Sequence, residues 1–432
     1  MFPPCHFQAA VGVALLLVAT ATAADTFDAL LSTDPLWTID QAAFEKATPQ
    51  MPFRWTSNAK DSARAAQSGM TLFGLPLTEV IARFEKNKLT QITANIYARG
   101  DAGDLTEEKF KALLVSTIEA IGKATGVKQT VRGKDPKSAV KAEGLVWQTP
   151  KALYTLEYSF TREMKSRDIP FRAEFVRLDI AGPQKNVGLL ASAANVAHAK
   201  FSGPMHIKRD AAGGDVWIGD VPMVDQGQKG YCVVASTERV MRYYGSDVDE
   251  NELAQVANSN SGGTNLQSMH DAMKKLTARL KIRVRDIEKM DVKEILDLVK
   301  DYNRAAKRTG AAPLSDPGQM LDVGSIYGEM KGEVLKDART HNKSGVERFQ
   351  RNVQTHIDQG VPLLWSVELG LVPEPGIPQN AGGHMRLIIG YNTKTQEILY
   401  SDSWGAGHEL KRMKTDDAWT MTTSLMSIEP LG

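Results

Sequence analysis

Two hydrophobic rhythms divide the chain. In residues 79–183 the period is mostly two. Val80, Ala82 and Phe84 alternate with Glu79, Ile81 and Arg83. After the polar turn Glu85-Lys86-Asn87-Lys88, Ile92, Ala94 and Ile96 alternate with Thr93, Asn95 and Tyr97, which predicts a β-hairpin. Phe110, Leu113, Leu114, Ile118 and Ile121 then fall on one helical stripe, with Thr106 placed to cap it and Gly126 just beyond it. Two more strands follow. Tyr154, Leu156, Tyr158 and Phe160 face one way; from Phe171 to Ile180 the apolar phase switches between Phe175 and Val176, the mark of a bulge. Residues 25–60 are helical but patchy. The order strand, strand, helix, strand, strand predicts a small α+β domain over residues 25–183 with one sheet face covered.

Residues 184–219 lose this periodicity and read as a linker. The second rhythm starts at 220. An apolar extended run, Val221 to Asp225, leads into Gln226-Gly227-Gln228-Lys229-Gly230-Tyr231. Cys232 then opens a helix in which Val233, Thr237, Val240, Met241 and Tyr244 recur at helical spacing and Gly245 holds the C′ position. Asp249/Glu252, Thr264/Gln267 and Asp291/Glu294 form capping-box patterns. Leu266, Met269, Met273, Leu276 and Leu280 make a further stripe, bordered by His270. Residues 310–343 suggest an excursion over the surface, and Arg348 to Asp358 is again helical. Then the pattern turns to strands. Val361 to Val367 is an apolar run, a Pro-rich loop spans Leu371 to Gln379, and two strands run through His384–Tyr391 and Glu397–Gly405. Residues 220–432 therefore read as one domain, a helical half followed by an antiparallel sheet half.

Composition sharpens the picture in two places. Among 432 residues, 52 Lys+Arg against 51 Asp+Glu leave a net charge of +1, so no global field draws the chain to nucleic acid or an anionic membrane. Residues 1–24 have the form of a secretory signal. The apolar run Ala9–Ala19 is too short to span a bilayer, and Ala21-Thr22-Ala23 offers a small-x-small cleavage site, although no Lys or Arg precedes the run. No later stretch is long and apolar enough to insert in a membrane. The expected location is secreted or periplasmic. Signal removal takes away Cys5, so the mature chain keeps one of its two cysteines, Cys232. An exported protein with a single thiol has no internal disulfide, and the thiol calls for another reason, such as reactivity.

The position of Cys232 supplies one. A helix N-terminus carries partial positive charge and free N–H groups that favour thiolate. Gln226 is an amide donor upstream, and with the Cys232 N–H it can hold an oxyanion. The blander reading of such a thiol is a buried structural Cys. Antiparallel pairing of the last two strands would bring His384, at the start of one, beside Asp402, at the end of the other; a carboxylate there orients an imidazole base. His198, His206, His341 and His356 read as solvated, and His270 as a core-boundary residue.

These segments resemble a known family. Gln226-Gly227-x-x-Gly230-x-Cys232 with Ala235-Ser236 is similar to the nucleophile segment of papain-like cysteine peptidases. His384 with Ile389-Gly390-Tyr391, and then Ser403-Trp404-Gly405, is similar to their His and Asn-Ser-Trp-Gly segments. Asp402 in place of Asn resembles the bacterial bacteriocin-processing (double-glycine) branch, as do Tyr243-Tyr244-Gly245 and Gly263-Thr264-x-Leu266. Val233 departs from both groups. The resemblance implies a papain-like C-terminal domain. Cys232 would attack a carbonyl carbon, His384 would carry the proton, Asp402 would orient His384, Gln226 would stabilise the oxyanion, and Trp404 would shield the His–Asp pair. It implies a peptide or protein substrate and no cofactor or metal. Two alternatives stay open: a non-catalytic secreted binding protein on this scaffold, and an acyl transferase using the same residues. The complete set of four favours catalysis. Residues 25–183 fit either an inhibitory pro-segment, released near Lys200, Lys208 or Arg209, or a permanent binding module; the latter is favoured because the domain has its own sheet and capped helix.

Overall fold

A computed structural model describes residues 27–133, 138–183, 201–227, 230–246, 248–259, 264, 266–289, 291–315, 322–377 and 381–431. The expected signal segment with Cys5, together with His198 and Gln228-Lys229, lies outside these residues. Two large antiparallel sheets dominate, and the class is α+β.

The first sheet has eight strands in the spatial order Arg54–Trp55, Ser62–Ala65, Glu79–Glu85, Lys88–Ala98, Arg172–Ala181, Leu153–Thr161, Glu143–Gln148 and Thr130–Val131. The expected hairpin is present. Its turn residues Lys86 and Asn87 take φ of 50° and 62°, the left-handed pair that a tight hairpin turn needs. The expected bulge is also present: pairing slips between Ala173 and Phe175 on one side and between Val176 and Arg177 on the other. The helix Glu107–Thr125 begins where the Thr106 side chain accepts from the Lys109 N–H (3.3 Å) and ends at Gly126, φ 68°. Its Phe110 and Ile121 pack into a core that also buries Trp147, Leu156 and Leu178.

The opposite face of this sheet departs from the alternation rule. Glu79, Thr93, Asn95, Glu157 and Arg177 belong to the polar phase, yet none is more than 7% exposed. Elements of the C-terminal half cover them, chiefly the helices Cys232–Tyr243 and Glu250–Val256. Arg177 pairs with Glu157 (Nε–Oε2 2.9 Å), with Asp249, and with Glu252 at 3.6 Å. Glu252 also accepts from Ser138 Oγ (2.8 Å) and the Ala139 N–H (2.5 Å). Asn251 Nδ2 donates to Asn95 Oδ1 at 3.3 Å. A polar face can be buried when its groups find partners, and here the partners come from both halves of the chain.

The second sheet runs Ile207–Arg209, Asp215–Ile218, Gly382–Asn392, Leu363–Leu369, Thr422–Pro430 and Ile282–Glu288, with Glu397–Ser401 and Lys411–Lys414 joined through the Gly382–Asn392 strand. Its first two strands fall in the stretch read as linker. They pass unnoticed in the sequence because they are short and their register is set by a remote glycine: Trp217 lies opposite Gly390, where a Cβ would stand 2.7 Å from that of Trp217. Helices cover both faces. Val234, Val240, Met241, Met269 and Met273 pack on Leu364, Met385, Leu387 and Met426; Phe349, Val353, Ala418 and Trp419 pack on Leu363, Trp365, Ile388 and Leu425.

Asp249 caps its helix through the Glu252 N–H (3.1 Å), and Asp291 with Glu294 forms a full capping box. The Thr264 hydroxyl meets Ser259 Oγ at 2.8 Å. Residues 310–343, read as a surface excursion, contain the helices Val323–Glu329 and Gly332–Thr340. These pack Ile326, Tyr327, Val334 and Leu335 against Val299 and Tyr302 of the helix Val292–Thr309. Each has only two buried apolar positions, too few to give a periodic signal. Among the described residues no helix is long and apolar enough to cross a membrane.

The buried network around Arg177 makes a stability prediction. Arg177→Ala leaves the buried Glu252 carboxylate without its cation and Glu157 with Arg132 alone, and should destabilise by about 3–5 kcal/mol, read as a lower urea midpoint. A change indistinguishable from that of an exposed control such as Arg162→Ala would mean the network is solvated in solution.

Candidate active site

Cys232 is the first residue of the helix Cys232–Tyr243 and is half-buried. The preceding Tyr231 provides no side-chain cap, so the first-turn N–H groups have no partner within the helix. Two side chains on the same face fix this helix end. Ser236 Oγ donates to the Met385 carbonyl at 3.3 Å. Arg239, two turns beyond Cys232 and 1% exposed, donates from Nε to the Pro222 carbonyl (2.8 Å), from Nη1 to the Asp402 carbonyl (3.0 Å) and from Nη2 to Ser401 Oγ. Burial pushes its guanidinium down to about 10 even with the Asp402 charge nearby. Arg239 thus ties the Cys232 helix to the strand end that carries Asp402.

The strands Gly382–Asn392 and Glu397–Ser401 pair antiparallel, with Leu387 opposite Ser401. This brings His384 and Asp402 together as the sequence predicts. His384 Nε2 lies 2.7 Å from Asp402 Oδ1, and the ring is also hydrogen-bonded to the Cys232 side chain. With Nε2 committed to Asp402, Nδ1 is the ring nitrogen left for the thiol. Trp404 stacks on the imidazole, centroids 4.5 Å apart and planes 19° from parallel. Burial disfavours the charged ring, but the hydrogen bonds to Asp402 and Cys232 and the attraction of those groups outweigh it, and the His384 pKa is raised to about 9.

Asp402 is fully buried. Its Oδ1 also accepts from the Ser403 N–H (2.8 Å), and its Oδ2 stands 2.8 Å from Arg386 Nε. Arg386, itself fully buried, pairs through Nη1 with both Glu374 oxygens (2.8 and 3.1 Å), and the Tyr400 hydroxyl donates to Glu374 Oε1 at 2.5 Å. Burial works to raise the Asp402 pKa. The hydrogen bond and charge of His384, the charge of Arg386 and the Ser403 N–H prevail, so it is held below the usual carboxylate value.

Gln226 is 7% exposed and tied to the neighbour of Asp402 at two points. Its N–H donates to the Ser403 carbonyl (2.9 Å), and Ser403 Oγ donates to Oε1 (2.6 Å), which turns the amide NH2 away from Ser403. All four sequence-predicted residues therefore sit in one locality: Cys232, His384 and Asp402 in line, and Gln226 linked to them through Ser403. The sequence reading missed Arg239, Arg386, Ser403 and Glu374 as supports. Arg386 left a trace, being the one charge in the strand His-Met-Arg-Leu-Ile-Ile, on the face of His384. Among the other described histidines, His408 lies edge-on to Trp404 (centroids 5.7 Å) and its carbonyl accepts from the Asp402 N–H (2.9 Å), while His206 and His270 have partners of their own. His206 stacks on Phe201 and lies 3.4 Å from Asp220, and buried His270 places Nε2 2.7 Å from Asp286.

The shifts set a pH dependence of stability. His384 has a raised folded pKa, so its pairing stabilises fully below the ordinary imidazole value of 6.5 and is lost as pH rises through about 9. Asp402, with a lowered value, contributes above 3.8 and is lost as acid titrates it. The urea midpoint should fall between pH 6.5 and 9, and His384→Ala should flatten that fall. An equally steep fall in the variant would assign it to other groups.

Residues 218–426 match the sequence pattern of the Peptidase_C39 like family. Among solved structures, the peptidase domain of Streptococcus ComA, a bi-functional ABC transporter involved in quorum sensing, is 14% identical; the match covers 49% of this chain and 99% of that one, with a TM-score of 0.25. Xylellain, a cysteine protease from Xylella fastidiosa, is 13% identical over 52% of this chain and 91% of its own, with a TM-score of 0.28. No curated protein matches the chain. Through residues 218–426 the chain is similar to the Peptidase_C39 like family, the papain-like branch of cysteine peptidases to which its motifs point.

Proposed function

We propose that the protein is an exported cysteine peptidase that hydrolyses peptide bonds through Cys232, His384 and Asp402. One observation carries the reading: His384 is held between a thiol at a helix N-terminus and a fully buried carboxylate. Export to the periplasm or beyond rests on residues 1–24 of the sequence alone.

In the reaction Cys232 Sγ, as thiolate beside the His384 imidazolium, attacks the carbonyl carbon of a peptide. The Cys232 N–H and the Gln226 amide donate to the oxyanion. As the C–N bond breaks, the imidazolium gives its proton to the leaving amine, and a thioester remains on Cys232. Neutral His384 then takes a proton from water, the hydroxide adds to the thioester carbon, and the adduct collapses with cleavage of the C–S bond, releasing the carboxylic acid and restoring the Cys232 thiolate beside the His384 imidazolium. Asp402 holds the ring in the required tautomer and stabilises its cation, while Trp404 covers one ring face.

Four measurements test this. Peptide-library hydrolysis should be present in the mature chain and absent in Cys232→Ala; transfer of the acyl group to added amines without hydrolysis would redirect the reading to an acyl transferase, and inertness to a binding protein. Iodoacetamide should alkylate Cys232 rapidly at mildly acidic pH, and His384→Ala should abolish that advantage. A wild-type rate that rises only near the free-thiol value of roughly 8.5 would sink the ion pair. Gln226→Ala should lower turnover by about 10²-fold or more with alkylation largely intact, since an oxyanion donor acts in the transition state. Asp402→Asn should keep more turnover than Asp402→Ala.

A further inference from the structure

The Gln226 segment is held from two sides. On one side is Ser403 of its own half. On the other is Arg64, from the strand Ser62–Ala65 of the first sheet. Arg64 is only 14% exposed along its side chain and is paired through Nε with Glu79. Its guanidinium lies flat against Gly227: a Cβ there would stand 2.5 Å from Nη2 and 2.9 Å from Cζ. Gly227 takes φ +64° and donates its N–H to Asp225 Oδ1 at 2.8 Å, closing a tight turn around Gln226. Asp225 and Glu250 add to Glu79 in surrounding the Arg64 cation with negative charge. A second contact grips the loop after Asp402: the Asn58 N–H donates to Glu409 Oε1 (2.6 Å) and Asn58 Nδ2 to Oε2 (3.3 Å). The space left between the two halves here is about 30 Å³, room for a water or two and not for a ligand.

We infer that the N-terminal half is an integral part of the working peptidase, and that Arg64 is a positioning residue which fixes the Asp225–Gly227 turn and through it the Gln226 amide. The inference rests on the cysteine-peptidase reading. It replaces the choice between a removable inhibitor and an appended binding module, because a segment that shapes the oxyanion donor cannot be released without loss of turnover. The first sheet's polar face points the same way: Arg177 has its remaining partners in Asp249 and Glu252 of the other half.

The test uses the full mature chain with Arg64→Met and Arg64→Lys. In Arg64→Met, hydrogen exchange at the Gln226 and Gly227 amides should rise at least about tenfold, with exchange in the Cys232–Tyr243 helix unchanged. kcat on a peptide should fall at least about tenfold with KM within about twofold, because the lost interaction acts on the oxyanion. The alkylation rate of Cys232 should stay within about twofold, and Arg64→Lys should recover part of kcat. A peptide aldehyde, whose thiohemiacetal carries the same oxyanion, should bind more weakly in proportion to kcat. Unchanged amide exchange, or faster turnover in Arg64→Met, would overturn the inference while leaving the peptidase reading intact. Failure of wild type to hydrolyse any peptide would sink the peptidase reading, and amide exchange would still decide whether Arg64 orders the turn.

Discussion

A carboxylate with no access to water is unstable unless charge and hydrogen bonds replace its hydration, and Asp402 is such a group. Its two oxygens are shared among His384, the Ser403 N–H and Arg386. Those partners bring constraints of their own. Arg386 must in turn be satisfied, which places Glu374 and Tyr400 behind it; the Asp402 carbonyl accepts from Arg239, which fixes the helix that begins at Cys232. One buried negative charge thereby joins the sheet, the helix Cys232–Tyr243 and the Pro-rich loop that carries Glu374. Removing a single partner leaves a charge exposed to a low-dielectric interior, so the arrangement tolerates little local change.

A similar logic joins the two halves of the chain. The first sheet has an apolar face with its own helix and a polar face that is equally buried. The second face is closed by charge pairing through Arg177, Asp249 and Glu252 rather than by hydrophobic contact. Such an interface is specific more than adhesive: each ion is stable only opposite its counterpart, which selects one docking geometry among many.

The sequence disclosed most of what depends on local pattern. The hairpin with Lys86-Asn87, the bulge near Val176, the capped helix ending at Gly126 and the Asp291 capping box are short-range features, and periodicity or turn chemistry reports them directly. The candidate site was legible for a different reason: Cys232, His384 and Asp402 each sit at the end of an element, and antiparallel pairing alone brings the latter two together. What stayed hidden depends on partners far away in the chain. The strand Asp215–Ile218 forms because Gly390 leaves room for Trp217. The burial of Glu79 and Arg177 requires a second half to cover them, and alternation assigns them to water. Arg239 and Arg386 are ordinary exposed charges by type, and only a buried acceptor shows otherwise.

Trp404 adds a last consequence. One face of the His384 imidazole lies against the indole, Nε2 is closed by Asp402, and the residue as a whole is 6% exposed. The ring therefore has a single port, Nδ1, on the side of the Cys232 thiol. In the proposed reaction the thiol, the leaving amine and the incoming water would use that port one after another. A peptide seated on Cys232 in that reaction would therefore also cover the one open nitrogen of the ring.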